Sequence, residues 1–286
     1  MARQDTKRNI IGIAASEPGR GRFDHWFALA AWQGLAVAAE ELGQDLLYLG
    51  RPSPDRLLKD GSGFISCNID GLVFIAPQRD APALRLLHEQ GMPFVTISGD
   101  TELEYLTFGS DNQGGVRQAL GFLRQLGHTR IAHVAGPSSL VDGVVREGAY
   151  RAYMAEKGLE VPENYVQKGA FIFDGGFSAA QSLLRMPYRP TAIFAGNDPM
   201  AYGVIAAAHD LKIRIPSELS VIGFDDEDHA AMYRPPLTTV RQPVREVART
   251  ALAALVNIID GGAPEAGRML PTELIVREST APVPSY

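Results

Sequence analysis

The sequence predicts an α/β fold of two lobes, each a doubly wound parallel sheet with helices on both faces. Short β-branched and apolar runs recur along the chain, and each is followed by a stretch with helical periodicity. The same alternation starts a second time at Arg130. The 286 residues, of which 45% are hydrophobic and 21% charged, are enough for two lobes with separate cores.

The first half of the chain predicts a lobe with five strands. Its opening βα unit is a strand over 10–15, a loop rich in Gly and Arg, and a helix over 27–42 that ends at Gly43. The further elements are strands over 45–49, 71–76, 93–98 and 106–109, and helices over 81–90 and 112–126.

The second half predicts the same architecture again, without a detectable repeat of individual residues. A long apolar helix over 244–259 ends at Gly261 and Gly262, and a strand pair around 269–276 closes the chain. The elements before it are strands over 131–136, 165–170, 191–196, 220–224 and 237–240, and helices over 144–157, 176–185 and 199–209.

Charge and cysteine content limit the classes of protein to which this chain can belong. The net charge of −6 gives this chain by itself no basis for holding a phosphate backbone, which needs clustered Lys and Arg. The single cysteine, Cys67, cannot form an intramolecular disulfide. Because the chain also has no signal-peptide pattern and no apolar run of membrane-spanning length, we expect a cytoplasmic protein that is neither exported nor anchored.

Motifs for catalysis are missing from the sequence. It contains no Gly-x-Ser-x-Gly, no P-loop, no dinucleotide fingerprint and no Cys/His spacing typical of metal ligands. The acidic run over 225–228 lacks the alternate spacing of an EF-hand loop. The sequence therefore predicts neither an enzyme nor a cofactor or metal site.

Polar side chains follow the predicted strands where a binding site is expected. Two parallel sheets that face each other place strand carboxyl ends and helix amino ends along a shared crevice, where ligands of such folds bind. The residues at these positions are Ser16, Asp111, Asn197, Asp198, Asp225, Asp226 and Gln242. The pattern predicts a ligand cleft between the lobes.

Seven segments resemble the signature segments of the LacI/GalR family of transcriptional regulators, in the family's order and spacing. They are SDNQGG (110–115), LGHTRIAHVAGP (126–137), REGAYRAY (146–153), TAIFAGNDPMAYG (191–203), IPSELSVIGFDD (215–226), PPLTTVRQP (235–243) and LPTELIVRES (270–279). The resemblance covers essentially the whole chain and implies the type I periplasmic-binding-protein fold.

The resemblance also implies how the lobes are divided. We expect an N-terminal lobe of 1–136 plus 244–268 and a C-terminal lobe of 137–243 plus 269–286, with three crossovers near 136–137, 241–243 and 267–270. Family members usually begin with a helix-turn-helix headpiece and a hinge helix, and DTKRNIIGIAAS resembles the point just after that hinge. The chain is therefore expected to be a core without its headpiece, through which the regulator would bind operator DNA.

The implied function is that of an effector-sensing and dimerisation core of a repressor-type regulator. A small molecule in the cleft would change the orientation of the lobes, as inducer or corepressor. APQRDAPALRLL and GMPFVTISGD resemble branches associated with glucosides or oligosaccharides, which favours a carbohydrate over a purine. We expect a homodimer formed by the first lobe around 57–74 and 84–87. The alternative is a solute-binding protein for sugar transport, which shares the fold.

Three residues of the second lobe carry the main binding expectations from the resemblance. Arg146 would direct its guanidinium fork onto ligand hydroxyls, although Ala149 stands where the family usually has glycine. Asp225 would accept hydrogen bonds from ligand hydroxyls, or else cap a helix. Asn197 would contact the ligand, while Asp198 would cap the helix that begins at Pro199.

The remaining candidates match family positions of two kinds. Asp111 would lie at the cleft mouth or cap the helix over 112–126, and Ser16 and Gln242 would form hydrogen bonds to the ligand. Trp26 and Phe27 would wall the ligand from the first lobe and Phe171 from the second, although aromatics at helix starts are more often part of a core.

Overall fold

The computed structural model describes residues 9–15, 25–49, 69–79, 81–99, 105–264 and 266–283. Within these residues the chain forms two compact units, each built around a six-stranded sheet. The first unit comprises Met1–Ser110 and Pro243–Leu270, and the second comprises Asp111–Gln242 and Pro271–Tyr286. The predicted α/β class with two parallel-sheet lobes is confirmed.

The first unit contains β1 (Ile10–Ala15), α1 (Trp26–Leu42), β2 (Asp45–Tyr48), β3 (Gly71–Ile75), α2 (Pro82–Glu89), β4 (Phe94–Ile97), β5 (Thr107–Ser110), α7 (Val244–Ile259) and β11 (Arg268–Leu270). Its sheet is parallel throughout, in the order β11-β5-β4-β3-β1-β2. The Ala-rich helix α1 packs against α7, and Gly34 permits a close approach because a Cβ there would collide with the Arg245 carbonyl oxygen. Helix α1 ends at Gly43, whose left-handed φ of 62° lets the chain turn into β2.

The second unit contains α3 (Asn112–Gln125), β6 (Ile131–Ala135), α4 (Val141–Glu156), a 3₁₀ turn (Glu163–Tyr165), β7 (Val166–Lys168), α5 (Phe173–Leu184), β8 (Ala192–Ala195), α6 (Asp198–Asp210), β9 (Ser220–Asp225), β10 (Thr238–Arg241) and β12 (Glu273–Ile275). Its sheet runs in the order β12-β10-β9-β8-β6-β7, and only the edge strand β12 is antiparallel to its neighbour among the described strands. Its core includes the fully buried rings of Tyr150, Phe194 and Phe224.

The structure corrects the predicted lobe boundaries. Residues 111–136, expected in the N-terminal lobe, belong to the second unit, so the first crossover follows Ser110. The physical reason is packing: α3 buries Val116 and Leu120 against Tyr150 and Phe224, and β6 pairs with β7 and β8. The other crossovers follow Gln242 and Leu270.

The predicted strand pair at the end of the chain is also wrong as a pair. β11 and β12 both form, but β11 pairs with β5 in the first sheet and β12 with β10 in the second. The chain leaves one unit for the other between Leu270 and Pro271, so the two strands cannot be neighbours. This exchange gives the first sheet its sixth strand.

Part of the expected dimer surface belongs to the core. Leu84 and Leu87 are almost fully buried, as are Leu72 and Phe74 of β3, and they pack together inside the first unit. Residues 57–68 of that expected surface lie outside the described residues.

Among the described helices, none combines the length and apolar character needed to cross a bilayer.

Candidate functional site

Three polar residues and one aromatic residue lie where four strands of the second sheet end. Phe171 follows β7, Asn197 follows β8, Asp225 ends β9 and Gln242 follows β10. Because the carboxyl ends of parallel strands share one edge of a sheet, the topology brings these residues to the same edge. Arg146 reaches this edge from the second turn of α4.

The guanidinium of Arg146 is held from two sides. Its side chain is 3% exposed, Nε donates to Asn112 Oδ1 at 2.7 Å, and Nη1 donates to the Gly196 carbonyl oxygen at 2.6 Å. Asn112 is in turn oriented by Asp142, to which its Nδ2 donates at 2.9 Å. A rigid donor fork at a buried position is therefore fixed in direction before any ligand binds.

Two carboxylates and two aromatic rings surround the same guanidinium. Nη2 lies 3.7 Å from Asp142 Oδ2, and Nη1 lies 3.7 Å from Asp225 Oδ1. The guanidinium carbon lies 3.9 Å from the ring centroid of Phe224 and 5.5 Å from that of Phe171, distances typical of cation–π contacts. The carboxylates attract Arg146 without saturating its N–H groups.

Asp225 is buried at the strand end with an unusual backbone. Its φ is 127°, in a region that residues other than glycine rarely adopt. Gln242 Nε2 donates to its Oδ1 at 2.6 Å. Burial raises the pKa of Asp225 from 3.8 to about 7, although the charge of Arg146 and the hydrogen bond from Gln242 act in the opposite direction. No helix begins at Asp225, so the alternative of a helix cap does not apply.

The helix cap after β8 differs from the prediction, which assigned it to Asp198. Asn197, not Asp198, caps α6: its Oδ1 accepts from the Met200 backbone N–H at 3.1 Å. Asp198 is fully buried at the first helical position, where it accepts from Thr239 Oγ1 at 2.5 Å and from the Glu227 backbone N–H at 2.9 Å. Burial, and then the charge of Asp225, raise the pKa of Asp198.

Phe171 stands on a backbone of two consecutive left-handed residues. Ala170 has a φ of 54° and Phe171 a φ of 62°. The side-chain amide nitrogen of Asn197 supports this bend, because Nδ2 donates to the Phe171 carbonyl oxygen at 3.0 Å. The ring lies directly over Gly136, where any Cβ would collide with it. One asparagine therefore fixes both the start of α6 and the aromatic ring.

The other candidates have simpler surroundings. Asp111 caps α3, with Oδ1 accepting from the Gly114 backbone N–H at 2.8 Å, as its alternative interpretation predicts. Trp26 and Phe27 open α1 in the first unit, half-buried against its core. The Trp26 indole Nε1 is buried without a hydrogen-bond partner among the described residues. Ser16 lies outside the described residues.

Sequence reasoning missed the groups that orient Arg146. Asp142 lies four residues before it on one helix, and this spacing, which places both side chains on one face, is a signal that the sequence contains. Asn112 directly follows the candidate Asp111, and only its place in the fold brings it to Arg146. The Gly196 contact uses a backbone oxygen, for which no sequence signal exists.

The arrangement offers hydrogen-bond donors and acceptors, and the residues brought together include no nucleophile paired with a base. Arg146 has five N–H donors, of which two are used by described residues. Gln242 Oε1 is buried and accepts no hydrogen bond from the described part of the chain. Such a set can recognise a ligand that both donates and accepts hydrogen bonds.

Comparison with known proteins identifies the domain type. Residues 120–280 match the model of a family described as periplasmic binding protein-like domain. The HTH-type transcriptional regulator CelR of Thermobifida fusca is 33% identical over 280 residues, which cover 96% of this chain and 82% of that protein. This relative is a transcriptional regulator, so the prediction that the chain is not an enzyme is confirmed.

Solved structures agree in fold. A regulatory protein of the LacI family from Chloroflexus aggregans has a TM-score of 0.85 at 30% identity, covering 95% of this chain and 98% of that one. A complex of the transcriptional regulator CelR with cellobiose has a TM-score of 0.88 at 31% identity, covering 96% of this chain and 85% of that one. The sheet order and these matches agree with a type I periplasmic-binding-protein-like core. The chain belongs to the LacI family of transcriptional regulators, as an effector-binding domain of that family.

Proposed function

We propose that this domain binds a neutral sugar at the carboxyl edge of its second sheet and thereby controls operator binding by the regulator. Arg146, Asp225 and Gln242 would hold the sugar hydroxyls, with Asn197 and Phe171 at the same edge. Operator DNA would be bound by a helix-turn-helix headpiece of the regulator, in the form of a homodimer. The predicted contributions of Ser16, Trp26, Phe27 and Asp111, and of a cleft between the lobes, remain predictions.

The observation that carries the proposal is the open arrangement of Arg146 and Asp225. The two side chains are buried, yet their closest charged atoms are 3.7 Å apart, beyond hydrogen-bonding distance. A sugar hydroxyl can accept from the guanidinium and donate to the carboxylate at once, which would satisfy both groups. The unpartnered Oε1 of Gln242 offers one more acceptor for a hydroxyl proton.

The local charge favours a neutral ligand over a phosphorylated one. Arg146 is flanked by Asp142 and Asp225, so the group carries a net charge of about −1 when both acids are ionised. When Asp225 is protonated the charge is about zero, and it is positive in neither case. The site therefore lacks the net positive charge that phosphate-binding sites usually provide for an anionic ligand.

The aromatic ring at the edge fits a sugar as well. Phe171 is half-buried, and its flat apolar face suits the C–H surface of a pyranose ring. The complex of CelR with cellobiose supports a carbohydrate as the effector class. The match to a transcriptional regulator over nearly the whole chain argues against the alternative of a solute-binding protein for transport.

A thermal-shift screen tests the proposal. The purified protein is heated with ribose, glucose, cellobiose, maltose and lactose, and in parallel with sugar phosphates and purines, because a ligand of the native state raises Tm by mass action. The proposal predicts a shift with at least one neutral sugar, which disappears in Arg146→Ala. Shifts confined to phosphates or purines, or none in any condition, would refute the sugar assignment.

A further inference from the structure

Two consecutive aspartates at the end of β9 adopt backbone conformations that L-amino acids disfavour. The φ of Asp225 is 127° and that of Asp226 is 58°. A residue in such a region persists only where its surroundings enforce it. The direction of the Asp225 side chain depends on this backbone, because φ sets where Cβ points. Something must therefore hold the pair in place.

The carboxylate of Asp226 accepts hydrogen bonds from two arginines that lie in different segments of the chain. Arg241 Nε, on β10, donates to Asp226 Oδ2 at 2.7 Å, and Arg277 Nη2, after β12, donates to Oδ1 at 2.6 Å. The Asp226 side chain is 7% exposed, so these bonds are shielded from water on the carboxylate side. Each oxygen has its own charged donor, which makes this the strong form of hydrogen bond.

The two arginines are themselves fixed to the sheet. Arg277 Nη1 donates to the Leu237 carbonyl oxygen at 2.8 Å, and its backbone N–H donates to Thr238 Oγ1 at 2.9 Å. Arg241 is the register partner of Asp225 in the β9–β10 pair. The residue that follows Asp225 is thus tied to the neighbouring strand and to the segment beyond β12.

On the other side, Asp225 itself meets the candidate site. Gln242 Nε2 donates to its carboxylate at 2.6 Å, and Arg146 lies 3.7 Å away. The bonds to Asp226 involve none of these groups. The strained pair therefore has one carboxylate directed to the sheet and one directed to the site.

We infer that Asp226 is a positioning residue that, through Arg241 and Arg277, holds the Asp225 carboxyl in its effector-binding orientation. This inference rests on the proposed function, in which Asp225 binds the effector. Asp226 does not touch the effector, and its contribution is to keep Asp225 in a conformation that an unrestrained chain would leave.

A double-mutant cycle between positions 225 and 226 tests this role. Affinity is measured by calorimetry for wild type, Asp226→Asn, Asp225→Asn and the double variant, with the panel sugar that gives the largest thermal shift. Asparagine tolerates left-handed backbone, so Asp226→Asn removes the charge without adding strain at residue 226. We expect a loss of about tenfold in the wild-type background and almost none once Asp225 is replaced, as coupled neighbours behave.

Glu273→Gln is the matched control, because Glu273 is the second acidic partner of Arg241, at 3.4 Å, and does not contact Asp226. It is expected to bind like wild type. Arg277→Lys provides an independent variant should Asp226→Asn fold poorly. The single ammonium group of lysine cannot donate to both Asp226 and the Leu237 carbonyl oxygen, as the two guanidinium nitrogens of Arg277 do. A purely structural role for Asp226 would lower Tm but would produce equal losses in both backgrounds of the cycle.

Crystal structures without ligand give a second readout that does not depend on effector binding. We expect φ of Asp225 to leave the left-handed region in Asp226→Asn and to stay there in Glu273→Gln. If wild type binds sugar while Asp226→Asn keeps both its affinity and this φ, the positioning role is wrong and the proposed function stands. If no sugar binds wild type, the proposed function fails and the φ of Asp225 alone decides whether Asp226 holds it.

Discussion

Arg146 Nη1 lies 3.7 Å from Asp225 Oδ1, although the same nitrogen donates to the Gly196 carbonyl oxygen at 2.6 Å. The opposite charges are thus close enough to attract but not engaged in a hydrogen bond. A fully formed buried pair would have to be broken for a ligand to bind, whereas a ligand hydroxyl can bridge these two groups from one side without breaking a hydrogen bond between them. The organisation of the site favours recognition over internal stability.

Replacing Arg146 by lysine is expected to abolish much of the sugar binding. Lysine keeps the charge but cannot donate to Asn112 and Gly196 while also directing donors at a ligand. The loss of hydrogen bonds from a charged donor corresponds to roughly ten- to hundredfold in affinity, measured by calorimetry. Arg151→Lys, on the exposed face of the same helix, is the control and should bind like wild type.

The stability of the wild-type protein should depend on pH through Asp225. Its pKa is about 7 in the folded protein, against 3.8 for the ordinary residue, so the native state holds the proton more strongly. The free energy of unfolding therefore falls as pH rises from about 4 to about 7. Urea denaturation of wild type and Asp225→Asn should show the variant gaining roughly 2–4 kcal/mol over wild type across this window. Parallel curves would contradict the raised pKa.

Asn197 has two functions that two substitutions can separate. Asn197→Ser keeps an oxygen to cap α6 but loses the amide donor to Phe171, so affinity for sugar should fall while stability stays near wild type. Asn197→Ala loses both and should also cost about 1 kcal/mol of unfolding free energy. Equal sugar affinity in wild type and Asn197→Ser would show that the bond to Phe171 does not shape the site.

Close packing of α5 against α6 depends on glycine. A Cβ at Gly203 would collide with the Phe173 carbonyl oxygen, so Gly203→Ala should destabilise the protein by about 1–3 kcal/mol in urea denaturation. Gly148 is exposed within α4, and a Cβ added there would meet no neighbouring atom within 4 Å, so Gly148→Ala should stabilise by about 0.5–1 kcal/mol. Similar effects of both changes would exclude the packing explanation.

The order of helices and strands could be predicted because the periodicity of hydrophobic residues and the glycines at element ends are local signals in the sequence. Helix α1 ends at Gly43 as predicted, for example. The assignment of 111–136 to a unit, and of β11 and β12 to different sheets, could not be predicted, because strand pairing and helix packing are set by distant residues. Both departures occur where the chain passes from one unit to the other.

The candidate site was predictable in residue type more than in role. Arg146, Asp225 and Gln242 do meet at one sheet edge. By contrast, the predicted cap of α6, Asp198, was wrong. Asn197 and Asp198 are adjacent and both can cap a helix, and Asn197 forms the cap because Asp198 is buried and accepts a hydrogen bond from Thr239. The bonds of Asp226 to Arg241 and Arg277 join residues far apart in the chain and have no local signature.

The measurement that tests the central claim most directly is calorimetric titration of one neutral sugar, the strongest of the thermal-shift panel, into three proteins. They are wild type, Asp225→Asn and Asp210→Asn, the last changing an exposed acid at the end of α6. We predict that wild type and Asp210→Asn bind with equal affinity, and that Asp225→Asn binds at least about tenfold more weakly because its carboxylate acceptor is lost. Equal affinity of all three proteins would contradict the assignment of this site.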